Sequence, residues 1–239
     1  MPANAAVPDS YGTIVIVGGG CYGGYYLRQL RRAAERGALS YDRIIIADRD
    51  ANCAVANALG TDAEIAVEEW SAFFTRFLAE SHDARDAIVP SPLMPHLLAH
   101  WIESRARVRW PNRHISTRMP AALSGVPWQR EGEGNARYVS FAEWMCPVNC
   151  IEPHICPHTR SERTWSMPVA IAAQSPAAAP PVSAVFHCTH RAYGVGMIDV
   201  ADVLAADLAL ATAGARGPVR CLIGTVSHCH GALGEIEIA

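Results

Sequence analysis

The chain has 239 residues, half of them apolar, and a net charge of −3. That is enough apolar material for one large α/β domain or two small ones, and nothing in the charge points to electrostatic binding of nucleic acid or an anionic membrane. All 20 basic residues are Arg, so a Schiff-base lysine, a lysine general base and a P-loop lysine are ruled out.

The first residues lack a basic segment followed by an apolar run, and no stretch approaches the roughly 20 apolar residues of a membrane span. The expectation is a cytoplasmic protein without a membrane span. Eight cysteines in that setting point to metal, redox or core roles rather than to a disulfide framework.

Residues 13–17 read as a buried strand running into glycines, and Gly18, Gly20 and Gly23 fit G-x-G-x-x-G, with Cys21 and Tyr22 in the variable positions. Residues 25–36 have helical character and Gly37 can end the helix. Residues 43–48 form a second buried-type strand ending at Asp48, followed by Arg49. The order strand, glycine turn, helix, strand, acid suits a dinucleotide. Glycines permit the tight turn and the close backbone approach, and the helix N-terminus faces the phosphates.

On these residues the segment from about 12 to 110 resembles the NAD(P)-binding Rossmann superfamily. The resemblance implies NAD(H) or NADP(H), bound along Gly18, Gly20, Cys21, Tyr22 and Gly23. Asp48 would sit on the adenosine ribose, and Arg49 would be available to a 2′-phosphate.

The alternation continues with a short helix over 51–59, a strand over 63–67, an amphipathic helix over 68–80 and a strand over 86–89. A helix over 93–104 carries His96 and His100. From residue 107 the rhythm breaks. Residues 126–129 and 137–141 can pair as a hairpin, and 174–181 is linker-like. A strand over 182–186 ends at His187-Cys188-Thr189-His190. A helix over 198–213 precedes a strand over 220–226 that reaches Ser227-His228-Cys229-His230, and a short strand closes the chain at 234–238. The fold expected is α/β: a Rossmann-like, mostly parallel sheet with an irregular cysteine-containing insertion. Residues 1–111 form its first half, 112–181 the insertion and 182–239 the second half.

The insertion contains Cys146, Cys150 and Cys156 in a C-x3-C-x5-C spacing, two of them followed by proline. Structural zinc favours paired C-x2-4-C knuckles, and no second knuckle is present. The loop resembles an iron–sulfur binding loop, in which cysteines crowd together and proline often follows one. This implies a [4Fe–4S] cluster, with zinc as the alternative. The fourth ligand expected is Cys188, with Cys229, a histidine or no protein ligand as the other choices. His190 and His228, at two strand ends, are the candidate catalytic residues.

The functional expectation is an NAD(P)-binding iron–sulfur redox protein, an oxidoreductase acting on a small-molecule substrate or redox partner, with a homodimer compatible. The alternatives are a Rossmann redox- or metal-sensing module without catalysis and a zinc-stabilised dehydrogenase-like enzyme.

Overall fold

The computed structural model describes residues 9–80, 82–147, 150–174 and 180–239. In chain order the elements are β1 (Asp9–Val17), α1 (Cys21–Glu35), β2 (Leu39–Asp48), β3 (Ala63–Val67), α2 (Trp70–Phe77), β4 (Ala87–Val89), α3 (Leu97–Arg109) and β5 (Ile115–Arg118). They continue with β6 (Trp128–Glu131), β7 (Arg137–Ser140), α4 (Met167–Ala172), β8 (Val182–His187), β9 (Thr189–Ala192), β10 (Val195–Asp199), α5 (Val200–Gly214), β11 (Val219–Val226) and β12 (His230–Ile238). The fold is mixed α/β with two mixed sheets. Among the described residues no helix is long and apolar enough to cross a membrane.

The chain divides into two compact units. Unit 1 comprises residues 1–91 and 190–201 and carries the sheet ordered β3-β2-β1-β4-β10-β9. Its first four strands run parallel, and β10 joins β4 antiparallel. The apolar run over 13–17 is buried on both faces, as a parallel central strand requires. α1 packs Tyr26, Leu27, Leu30 and Ala33 onto this sheet, at the spacing of one helical face. The helix expected over 51–59 is reduced to one 3₁₀ turn, Ala56–Ala58. Residues 193 and 194 form the tip of a tight hairpin between β9 and β10. Tyr193 and Gly194 both have positive φ (48° and 80°), as a primed turn demands.

Unit 2 comprises residues 92–189 and 202–239. Its sheet is ordered β6-β7-β12-β11-β8, and β5 also pairs with β12. Most neighbours are antiparallel, but β8 and β11 are parallel. The strands over 182–187, 219–226 and 230–238 therefore build a second sheet rather than completing the first. The physical reason is the β11–β12 hairpin. A tight turn at Ser227–Cys229 lets β12 pair with β11 over eight residues, with its other edge taken up by β5 and β7. The hairpin expected over 126–141 is present as β6 and β7. α3 and α5 are tied by Asp207, buried and clasped by Arg109 through two bonds of 3.0 and 2.7 Å. Of the linker-like stretch, residues 175–179 lie outside the described residues, as do positions 148 and 149 of the cysteine loop.

Candidate functional site

In unit 2, Cys146, Cys150, Cys156 and Cys229 all line one small cavity, with Trp144, Glu152, His158 and Arg163 on its wall. Three of these cysteines come from the irregular segment that follows β7. Cys229 comes from the turn between β11 and β12. All eight cysteines of the chain are free thiols. Cys188 lies at the end of β8, where its N–H donates to the Val226 carbonyl, and it is not among the residues lining this cavity.

Glu152 brings the two parts together. It is buried, at 9 % exposure, in a left-handed backbone conformation (φ 48°). Its carboxylate accepts hydrogen bonds from the Ser227 hydroxyl (2.6 Å), the His228 N–H (2.9 Å) and the Cys229 N–H (3.1 Å). A carboxylate among three donors satisfies the amides of a tight turn that have no ladder partner. The turn is further fixed by the Phe141 N–H, which donates to the Cys229 carbonyl, and by the Met167 N–H, which donates to that of His228. Sequence reasoning passed over Glu152. The available signal was an acid enclosed by apolar residues and proline in the middle of the cysteine run.

Three of the four sulfurs, those of Cys150, Cys156 and Cys229, meet a polar hydrogen. The Glu152 N–H donates to Cys150 Sγ at 3.4 Å. The Trp165 indole N–H donates to Cys229 Sγ at 3.3 Å. Cys156 is held below the ordinary thiol range, first by the Thr159 backbone N–H and then by the Thr159 hydroxyl, the His158 N–H and the Arg163 charge, against the effect of burial. Cys146 is pushed up, chiefly by burial and by the Cys150 thiol beside it, while the Trp144 indole favours its ionised form. The Trp144 N–H is itself buried and makes no well-formed hydrogen bond among the described residues. Burial pushes the Cys229 thiol up to about 12 despite the Trp165 bond. Trp144 is fixed by stacking on His158, with ring centres 4.4 Å apart and planes 9° from parallel. Arg163 is braced by the carbonyls of Pro153 and Trp165. Among the described residues, no three His, Cys, Asp or Glu side chains converge closely enough to hold a single metal ion.

His228 stands beside the cavity turn. Its Nδ1 lies 3.1 Å from the Ser166 hydroxyl, and its ring meets that of His187 edge to face at 4.7 Å. His230 Nδ1 lies 2.9 Å from the Ser140 hydroxyl. His190 is on β9 in unit 1.

The glycine turn of unit 1 joins β1 to α1. Gly18 has φ 86°, which favours glycine, and its N–H donates to the Ala47 carbonyl. A Cβ on Gly23 would collide with the Gly18 carbonyl oxygen, so the close approach of helix and turn needs glycine there. Asp48, at the end of β2, accepts from the Gly19 N–H at 2.6 Å and from the Asp50 N–H at 2.9 Å. Cys21 begins α1 and is exposed, Tyr22 packs against the core of the unit, and Arg49 is exposed at 3.9 Å from Glu69. The structure thus gathers Gly18, Gly20, Gly23 and Asp48 at one end of the parallel strands.

A family model described as "Uncharacterized protein, C-terminal domain" (AF_1314_C) matches residues 98–239, and the chain belongs to that family. The match includes every cysteine of the cavity. No curated protein and no solved structure matches the chain.

Proposed function

We propose that this is an iron–sulfur protein with a dinucleotide-binding unit, acting in electron transfer. Cys146, Cys150, Cys156 and Cys229 would hold a [4Fe–4S] cluster, with Cys229 in the fourth position. The observation that carries this reading is the set of four cysteines around one cavity, three of whose sulfurs meet an N–H or O–H donor. Such donors stabilise thiolates and tune the potential of a cluster. A buried indole N–H lacking a well-formed hydrogen bond beside Cys146 is what a ligated sulfur would satisfy.

A cluster ligated by four thiolates supplies one-electron transfer. The chain's own residues prepare the site for it. Glu152 presents Cys229 to the loop, and the Trp165 indole N–H donates to the Cys229 sulfur. Arg163 adds positive charge near Cys156 and Cys229, favouring thiolate at both.

For unit 1 the reading is Rossmann-like binding of NAD(H) or NADP(H). The parallel order β3-β2-β1-β4, the glycine turn and Asp48 at the end of β2 support it. A dinucleotide would place its pyrophosphate on the backbone N–H groups at Gly18–Gly23 and its adenosine ribose at Asp48.

The test is anaerobic purification followed by a visible spectrum and iron, sulfide and zinc analysis. Brown protein with about four irons and matching labile sulfide is expected. Colourless protein holding about one zinc would replace the cluster with a structural zinc site of four thiolates. Titration with NADH and NADPH then tests unit 1, and no binding of either removes the oxidoreductase reading.

A further inference from the structure

Unit 2 contains a second, larger cavity, of about 360 Å³. Its floor is one face of the sheet. Ser183, Val185 and His187 alternate along β8, and Leu222 and Val226 lie across from Ser183 and His187 on β11. Its walls are α4, through Pro168 and Ile171, and the segment over 120–123. The volume falls in the range of roughly 300–1,000 Å³ typical of small-molecule sites, and the mostly apolar lining with a few polar groups is typical too.

The polar groups define the ligand. Glu235 is buried on the wall, but Arg220 clasps its carboxylate through bonds of 2.6 and 3.0 Å, and Arg118 Nε lies 3.0 Å away. Its charge is therefore spent within the protein. Gln174 accepts from the Ser124 N–H and donates to the Ala170 carbonyl. Neither group favours a charged guest. Among the described lining residues, recognition falls to His187, whose imidazole can donate or accept a hydrogen bond, and to Ser183 at the exposed rim.

We infer that this cavity binds a small, neutral, largely apolar molecule, of the size of a bicyclic aromatic, with one polar group directed at His187. This does not rest on the cluster reading, because none of the four cavity cysteines lines it. It does place the ligand beside Cys229, since His187 meets His228, the residue before that cysteine.

Calorimetric titration of the full chain with indole, 1-methylindole and indole-3-acetate tests the site. Indole saturates at one per chain, and the anion binds at least tenfold more weakly. Val185→Trp fills the cavity and weakens indole at least tenfold. Ser183→Trp, at an exposed rim position, does the same without disturbing the core and carries the test if Val185→Trp fails to fold. His187→Ala weakens indole about 3–10-fold, the worth of one hydrogen bond, and leaves 1-methylindole within twofold. The inference is overturned if no probe saturates below millimolar concentration, if the anion binds as well as indole, or if Ser183→Trp leaves indole binding unchanged. Equal losses for indole and 1-methylindole in His187→Ala would remove the assigned role of His187.

Discussion

The glycine turn of unit 1 and the cysteine cavity of unit 2 both lie where strands end, but they are made of different material. The first is backbone: N–H groups at a helix N-terminus, with glycines that let the chain pass close to itself. The second is side chains, drawn from a loop and from a hairpin turn more than seventy residues further on, and joined by Glu152. A backbone site needs a short contiguous stretch with the right dihedral angles. A side-chain site needs tertiary structure to gather its parts, so each part becomes indispensable.

That contrast is most sharply tested at the cysteines. Cys229→Ala or Cys156→Ala is expected to reduce bound iron to background, while Cys188→Ala retains it; iron analysis and the visible spectrum decide. Iron lost in Cys188→Ala and kept in Cys229→Ala would reverse the assignment of the fourth ligand.

Glu152→Ala comes next. It strands three donors at a buried turn, at a cost of about 3 kcal/mol, and loosens iron retention by about 10–100-fold, as loss of a ligand's supporting partner does. Denaturant unfolding and competition with a chelator measure the two effects. Glu152→Gln, which keeps part of the acceptor capacity, should fall between Ala and the native chain.

On the backbone side, Gly23→Ala forces a Cβ against the Gly18 carbonyl and should destabilise the chain by about 3 kcal/mol, with NADH binding lost and iron content kept. Asp48→Asn removes a side chain from a site made mostly of backbone, so it should weaken NADH by only about tenfold, or about 1.4 kcal/mol. If Asp48→Asn abolished binding outright, the distinction between the two sites would fail.

The smallest effect concerns the framework of unit 1. Asp62 accepts from Arg31 at 2.6 and 3.0 Å and from the Tyr41 hydroxyl at 2.8 Å. The Arg31 guanidinium, and then the Tyr41 hydroxyl, hold its pKa at about 2, below the ordinary 3.8. A depressed carboxylate stabilises the fold above its unfolded pKa, and that stability is lost as pH falls from about 4 toward 2. The pair is one-third exposed on the Asp62 side, so solvent screening limits it to about 1 kcal/mol. Asp62→Asn should therefore unfold more easily than the native chain at pH 7, and the two should converge near pH 2.

Local pattern made some of this molecule legible. The apolar strand into Gly18, the periodic apolar face of α1 and the acid ending β2 depend on neighbours in sequence, and the structure has them where the pattern puts them. The short helix over 51–59 did not form beyond one turn. The strands β9 and β10 were hidden because their hairpin turn, Tyr193-Gly194, lacks the Asn or Asp that usually announces such a turn. β5 and α4 are four and six residues long and show no usable period.

The sequence by itself determined that unit 1 carries a glycine turn between strand and helix, and that three cysteines crowd one loop, because dihedral preference and cysteine spacing are local properties. Tertiary structure decided the rest. It assigned the last strands to a second sheet, put Cys229 rather than Cys188 on the cavity wall, and made Glu152 the tie between loop and hairpin. Each of these depends on strand pairing and buried hydrogen bonds between residues far apart in the chain, which no local spacing encodes.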